Sequence, residues 1–157
     1  METGINKVLE KFQREMYTRL TKREPVFCTP LDEDKTALSE GYRLYIYRNN
    51  EIYINLDMCK KTDSIAQYLT ADGNDNPLKD TRTYIKGING IMLHKFRAQG
   101  FCTYINENYA RDIIASQCCK LYARNPHDRI AVQNIITGNT IGIIMPCRYE
   151  ETNDLDN

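Results

Sequence analysis

Two histidines and six cysteines are the residues of this 157-residue chain with the widest chemical range, and their placement leaves them little chemistry to do. His94 stands beside Lys95 and His127 before Asp128, with no nucleophile paired to either, so both read as solvated side chains and not as general bases. Cys28, Cys59, Cys102, Cys118, Cys119 and Cys147 include no Cys-x-x-Cys pair, and no His-x-x-x-His occurs, so the spacing that zinc requires is missing. The neighbours Cys118 and Cys119 would point to opposite faces of a strand and cannot easily share a thiolate site. Gly87 and Gly90, in Lys-Gly-Ile-Asn-Gly, lack the Lys-Ser or Lys-Thr that completes a phosphate cradle. Asp32, Glu33 and Asp34 cluster in loop composition, and Glu150 and Glu151 lie in an acidic tail, so both groups read as solvated. The expectation is a protein that is not an enzyme, carries no cofactor and no metal, and works by binding or assembling.

Composition narrows the setting. Lys and Arg total 21 and Asp and Glu total 21, so any contact with nucleic acid must come from a local basic face and not from the field of the whole molecule. Apolar residues at 41% and charged residues at 27% are ordinary for one globular domain of this length. Eleven Tyr with no Trp favour strands and contact surfaces. Met1 is followed by a charged amphipathic segment without an apolar leader, and no run approaches the length of a membrane span. The expected setting is therefore cytoplasmic, away from the membrane, with the cysteines reduced and packed as small hydrophobes.

The elements that must position any site read as follows. Ile5, Val8, Leu9, Phe12, Met16 and Leu20 recur at helical spacing and predict a helix over 4–21. On its opposite side Lys7, Lys11 and Arg14 fall together with Thr18, flanked by Glu10 and Glu15, as a solvated face or a stripe that meets phosphates. Residues 22–41, with Pro25, Pro30 and the acidic cluster, read as loop. Alternation over 42–47 and 51–56 around Arg48, Asn49 and Asn50 predicts a hairpin. A short helix is expected over 59–69, an exposed loop over 70–79, a second strand pair over 81–86 and 90–96, with a helix over 91–96 as the alternative, and a strand over 101–105. Asn106 is a plausible N-cap for a helix over 107–116. A strand over 119–124 follows, then a hairpin of 129–136 and 140–145 around Thr137, Gly138 and Asn139, closed by Pro146. The sum is an α+β fold: an amphipathic N-terminal helix, β-hairpins and a short second helix in one domain over 1–148, with an acidic tail over 149–157.

Three segments resemble, in order, the C-terminal domain of the bacterial DNA-polymerase sliding clamp. Ile143, Ile144, Met145, Pro146, Cys147 and Arg148 look like that family's closing Val-Val-Met-Pro-Met-Arg strand. Asn106, Tyr109, Asp112, Ile113 and Ile114 are similar to its Asn-x-x-Tyr-x-x-Asp-Val-Leu entry into a helix. Gly41, Tyr42, Arg43, Leu44, Tyr45 and Ile46, then Asn49 and Ile52, resemble its Gly-Val-Arg-Leu-Tyr-Val hairpin. The resemblance implies a clamp-like antiparallel sheet forming an outer wall, with helices turned inward. Lys7, Lys11 and Arg14 would then face a DNA backbone, and Ile144, Met145 and Pro146 would lie on a surface that takes protein partners.

The departures from that family are specific. Its clamps carry three such domains per chain and close a ring from two chains, so a ring of this chain would be a homo-oligomer of about six copies. Cys147 stands for the second Met, and the connection to Asn106 is longer. Two rival expectations fit the same composition, a structural or assembly subunit of a bacteriophage virion and a small inhibitor of a host enzyme that uses a Tyr-rich hairpin as its interface.

Overall fold

The apolar repeat at the start of the chain buries one face of a long helix, α1 (Glu2–Thr21), with Ile5, Val8, Phe12, Met16 and Leu20 all buried. The computed structural model describes residues 2–63 and 75–149. Within them lie β1 (Phe27–Pro30), β2 (Lys35–Ser39), β3 (Arg43–Arg48), β4 (Lys60–Lys61), β5 (Asn76–Pro77), β6 (Lys79–Lys86), β7 (Met92–Ala98) and β8 (Phe101–Asn106). The second helix, α2 (Glu107–Ser116), and the strands β9 (Cys119–Ala123), β10 (Ile130–Asn134) and β11 (Thr140–Ile144) complete them. This is the expected α+β fold.

Eight strands form one sheet in the order β4-β1-β2-β3-β11-β10-β9-β5, and β6-β7-β8 form a second. The large sheet is built from two similar halves. Each is a helix followed by an antiparallel meander, α1 with β1-β2-β3 and α2 with β9-β10-β11, and the halves join where β3 pairs antiparallel with β11. Both helices lie on one face of this sheet. Phe12 and Met16 of α1 and Ala110 and Ile113 of α2 share a core with Leu38, Tyr45, Val132 and Ile144. Strand alternation sends Ala37, Leu44 and Ile143 to the other face, where Leu31, Ile46 and Met145 pack on them.

Several sequence expectations hold. The second strand pair is β6 and β7, the strand at 101 is β8, Asn106 caps α2 by accepting from the Asn108 N–H at 2.9 Å, and β9, β10 and β11 fall as read. Three do not.

Residues 22–41 are not loop, because β1 and β2 form a hairpin inside them. Asp32 makes its turn, with Oδ1 accepting from the N–H groups of Asp34 and Lys35 at 2.7 and 2.8 Å. The strand 42–47 exists, but its partners are β2 and β11, and 51–56 is no strand. There the backbone N–H groups of Tyr53 and Ile54 are taken by Oε1 of buried Gln13, so α1 supplies the bonds that a neighbouring strand would have made. The helix expected over 59–69 gives way to β4 at Lys60 and Lys61, while 64–69 lie outside the described residues. Of the loop expected over 70–79, residues 70–74 also lie outside them, and Asn76 and Pro77 pair with β9 as a two-residue edge strand.

The joint between the halves is tight. A Cβ at Gly142 would lie 2.4 Å from Tyr45 Cδ1 and 2.5 Å from the Leu44 carbonyl oxygen, because the Tyr45 ring packs directly over the glycine. Replacing Gly142 with Ala is expected to cost about 1–3 kcal/mol of overpacking, read as a lower denaturant midpoint at unchanged slope.

Candidate partner-binding groove

The face of the large sheet away from the helices carries a groove of about 410 Å³. Its floor is Leu44 of β3 and Ile143 of β11, placed outward by alternation, with Phe27 at one side and Met145 at the other. Exposed Tyr42 stands on its rim, as do Lys60, Lys61 and Thr62 around β4. Among the described residues, no carboxylate lines it. Arg43 also borders the groove, but its guanidinium is committed elsewhere, bound to Glu40 and to Glu15 of α1 at 2.7 Å each and stacked 4.0 Å from the Tyr109 ring centroid. Burial works against the charge of Arg43, yet Glu40 and Glu15 more than offset it and hold its pKa above the usual arginine value.

The residues of the closing segment part company. Met145 donates its N–H to the Tyr42 carbonyl at 2.8 Å, which extends the β11–β3 pairing and sets the side chain against the groove. Pro146 is half-buried where the chain crosses between sheets, since the next N–H, of Cys147, bonds to Tyr104 of β8. Ile144 is a correction to the expected contact surface: at 0% exposure it faces the helices, on the opposite side of its strand from Ile143. Phe27, Lys60 and Lys61 were not legible as site residues. The run Pro-Val-Phe-Cys-Thr-Pro at 25–30 is short and apolar enough for a strand, whereas two adjacent lysines carry no signal of an edge strand.

The helix stripe is solvent-facing but partly neutralised. Lys7, Lys11 and Arg14 are all exposed. Lys11 binds Asp112 of α2 at 2.7 Å and Arg14 binds Glu10 at 2.9 Å, so two of the three cations are paired within the helix layer. Exposed pairs of this kind contribute about 0–1 kcal/mol each, and their charge is offset toward a polyanion.

His94 is the largest departure from expectation, being buried at 1% exposure where a solvated residue was read. Nδ1 faces Glu107 Oε1 at 2.7 Å and Nε2 faces Asp80 Oδ1 at 2.5 Å, with the ring stacked on Phe96. Both ring nitrogens therefore face carboxylate oxygens, which only accept. The cysteines pack as read at Cys28 and Cys59, which are buried, while the other four are half-buried. Burial pushes the Cys59 thiol up to about 11, and it also raises Cys28, Cys119 and Cys147, which keeps these thiols protonated and slow to react.

Compared with known proteins, the chain matches no family model, no curated protein and no solved structure.

Burial opposes the charge on Asp80, but its bonds from His94 and the Arg82 N–H, with the charges of both residues, prevail and hold its pKa below the usual carboxylate range. A folded pKa below the unfolded one adds stability above the unfolded value, lost as pH falls through the folded one. Acid titration of unfolding is therefore expected to show stability lost below about pH 4, and Asp80→Asn should flatten that limb while lowering stability at neutral pH.

Proposed function

We propose that this chain is a non-enzymatic binding module that takes a short peptide segment of a protein partner in the groove beside Met145. The observation that supports it is the groove itself, an apolar floor of Leu44, Ile143 and Met145 beside a cationic rim at Lys60 and Lys61 with no described carboxylate. An apolar anchor would be desolvated on the floor at about 25 cal/mol per Å² buried, and acidic neighbours would be drawn to the rim. Selection from a random-peptide library is expected to return sequences with a large apolar residue flanked by Asp or Glu. Their affinity should fall about tenfold or more for Met145→Glu and several-fold, with weaker salt dependence, for Lys60→Glu with Lys61→Glu. Failure to enrich any peptide, or affinity indifferent to Met145, would refute this reading.

A clamp-like role is the second part of the proposal, favoured by one observation: two helices side by side on one sheet face, each followed by the same meander. In that role copies of the chain close into a homo-oligomeric ring, with α1 and α2 toward a DNA backbone and the groove outward. No described helix is long and apolar enough to cross a membrane. The native mass measured with and without duplex DNA checks this directly. A ring-sized oligomer with salt-sensitive DNA retention is expected, and a strict monomer that ignores DNA sinks it.

A further inference from the structure

Charge is unevenly placed along this neutral chain. Residues 79–98, which form the β6–β7 hairpin, hold five Lys and Arg against the single acid Asp80. That acid is already engaged, by the His94 ring at 2.5 Å and by the Arg82 N–H at 2.7 Å. Lys79, Arg82, Lys86 and Arg97 are exposed, and none forms an ion pair among the described residues. The contrast with α1 is direct, since Lys11 and Arg14 there are matched by Asp112 and Glu10. Cations without a described ion pair are thus concentrated on the hairpin, four within residues 79–98, whereas Lys11 and Arg14 of the α1 stripe are paired.

The geometry suits an extended polyanion. β6 is the outer strand of its sheet, so no described strand pairs with its far edge, and eight residues at roughly 3.3 Å each span about 26 Å. A register shift between Asp80 and Thr83, with Arg82 at φ 58°, breaks the pairing and turns that residue out of the ladder. Between Arg82 and Lys86 stands Tyr84, 52% exposed, a face on which a base can stack. The cations run the length of the hairpin, from the facing pair Lys79 and Arg97 at its base to Lys86 beside its turn. Alternation sets Tyr84 and Lys86 on one face of the hairpin and Lys79 and Arg97 on the other, so a strand laid along the edge of β6 reaches cations on both.

We propose that the β6–β7 hairpin is a nucleic-acid contact surface, binding a single strand along the edge of β6 with the cations on phosphates and Tyr84 against a base. The proposal does not depend on the groove, which lies on the other sheet. Fluorescence anisotropy with a labelled oligothymidine of about 20 nucleotides tests it across a salt series. Arg82→Gln with Lys86→Gln should weaken binding about tenfold and lower the log–log salt slope by about 1.4. Tyr84→Ala should weaken it about fivefold or more. Lys35→Gln with Arg48→Gln, a facing pair on the other sheet, should leave it within about twofold. Lys79→Gln with Arg97→Gln gives an independent pair at the base, and circular dichroism confirms that each variant is folded. The proposal fails if both hairpin pairs bind as the parent does, if the Lys35 and Arg48 pair loses binding as much as they do, or if the protein binds phosphatidylserine vesicles and not the oligonucleotide.

Discussion

The architecture depends on one close approach, the Tyr45 ring lying over Gly142 where β3 meets β11. This is the seam between the two helix-and-meander halves. A side chain at 142 would occupy the space the ring needs, and the ring in turn meets Phe12 of α1 edge-on at 4.9 Å. Seam and helix layer are therefore packed as one unit. The same alternation that turns Tyr45 and Ile144 toward the helices turns Leu44 and Ile143 outward, so the groove floor is the reverse side of the core's central joint.

Buried charge reinforces that joint from the side. Arg43 is adjacent to Leu44 and Tyr45, and it is held by Glu40 of its own turn and Glu15 of α1 against the rings of Phe12 and Tyr109. Removing one member would leave an uncompensated charge inside, which makes the network a constraint on how α1, α2 and β3 can be arranged. His94 plays a matching part for the smaller sheet, with Asp80 of β6 and Glu107 at the start of α2 on its two nitrogens. These two clusters absorb charged groups that would otherwise compete at the surface. The exposed groove rim and the β6–β7 hairpin both carry cations without a described ion pair.

Local periodicity made much of the fold legible. The helical spacing of α1, the Asn106 cap and the Gly-containing hairpin of β10 and β11 are short-range patterns, and they appear where the sequence places them. The errors share one cause. At 51–56 the apolar alternation is real, but Gln13 and not a strand satisfies its backbone, and at 27–39 an Asp32 turn within an acidic run hides a hairpin. Of the groove lining, Met145 follows a strand whose apolar pattern is legible, while Phe27 and Lys60 come from segments whose strands are too short to carry a pattern.

The sequence by itself determined the α+β class, the amphipathic α1, most strands after residue 79 and the absence of metal-ligand spacing, because each follows from neighbours within a few residues. Only the tertiary structure decided which face each strand presents, that Ile144 is core while Met145 borders a groove, and that His94 is enclosed by two carboxylates. It also decided which cations are neutralised. Lys11 meets Asp112 from a residue far along the chain, whereas Lys86 and Arg97 meet no described carboxylate, and pairing across such separations is set by packing and not by spacing.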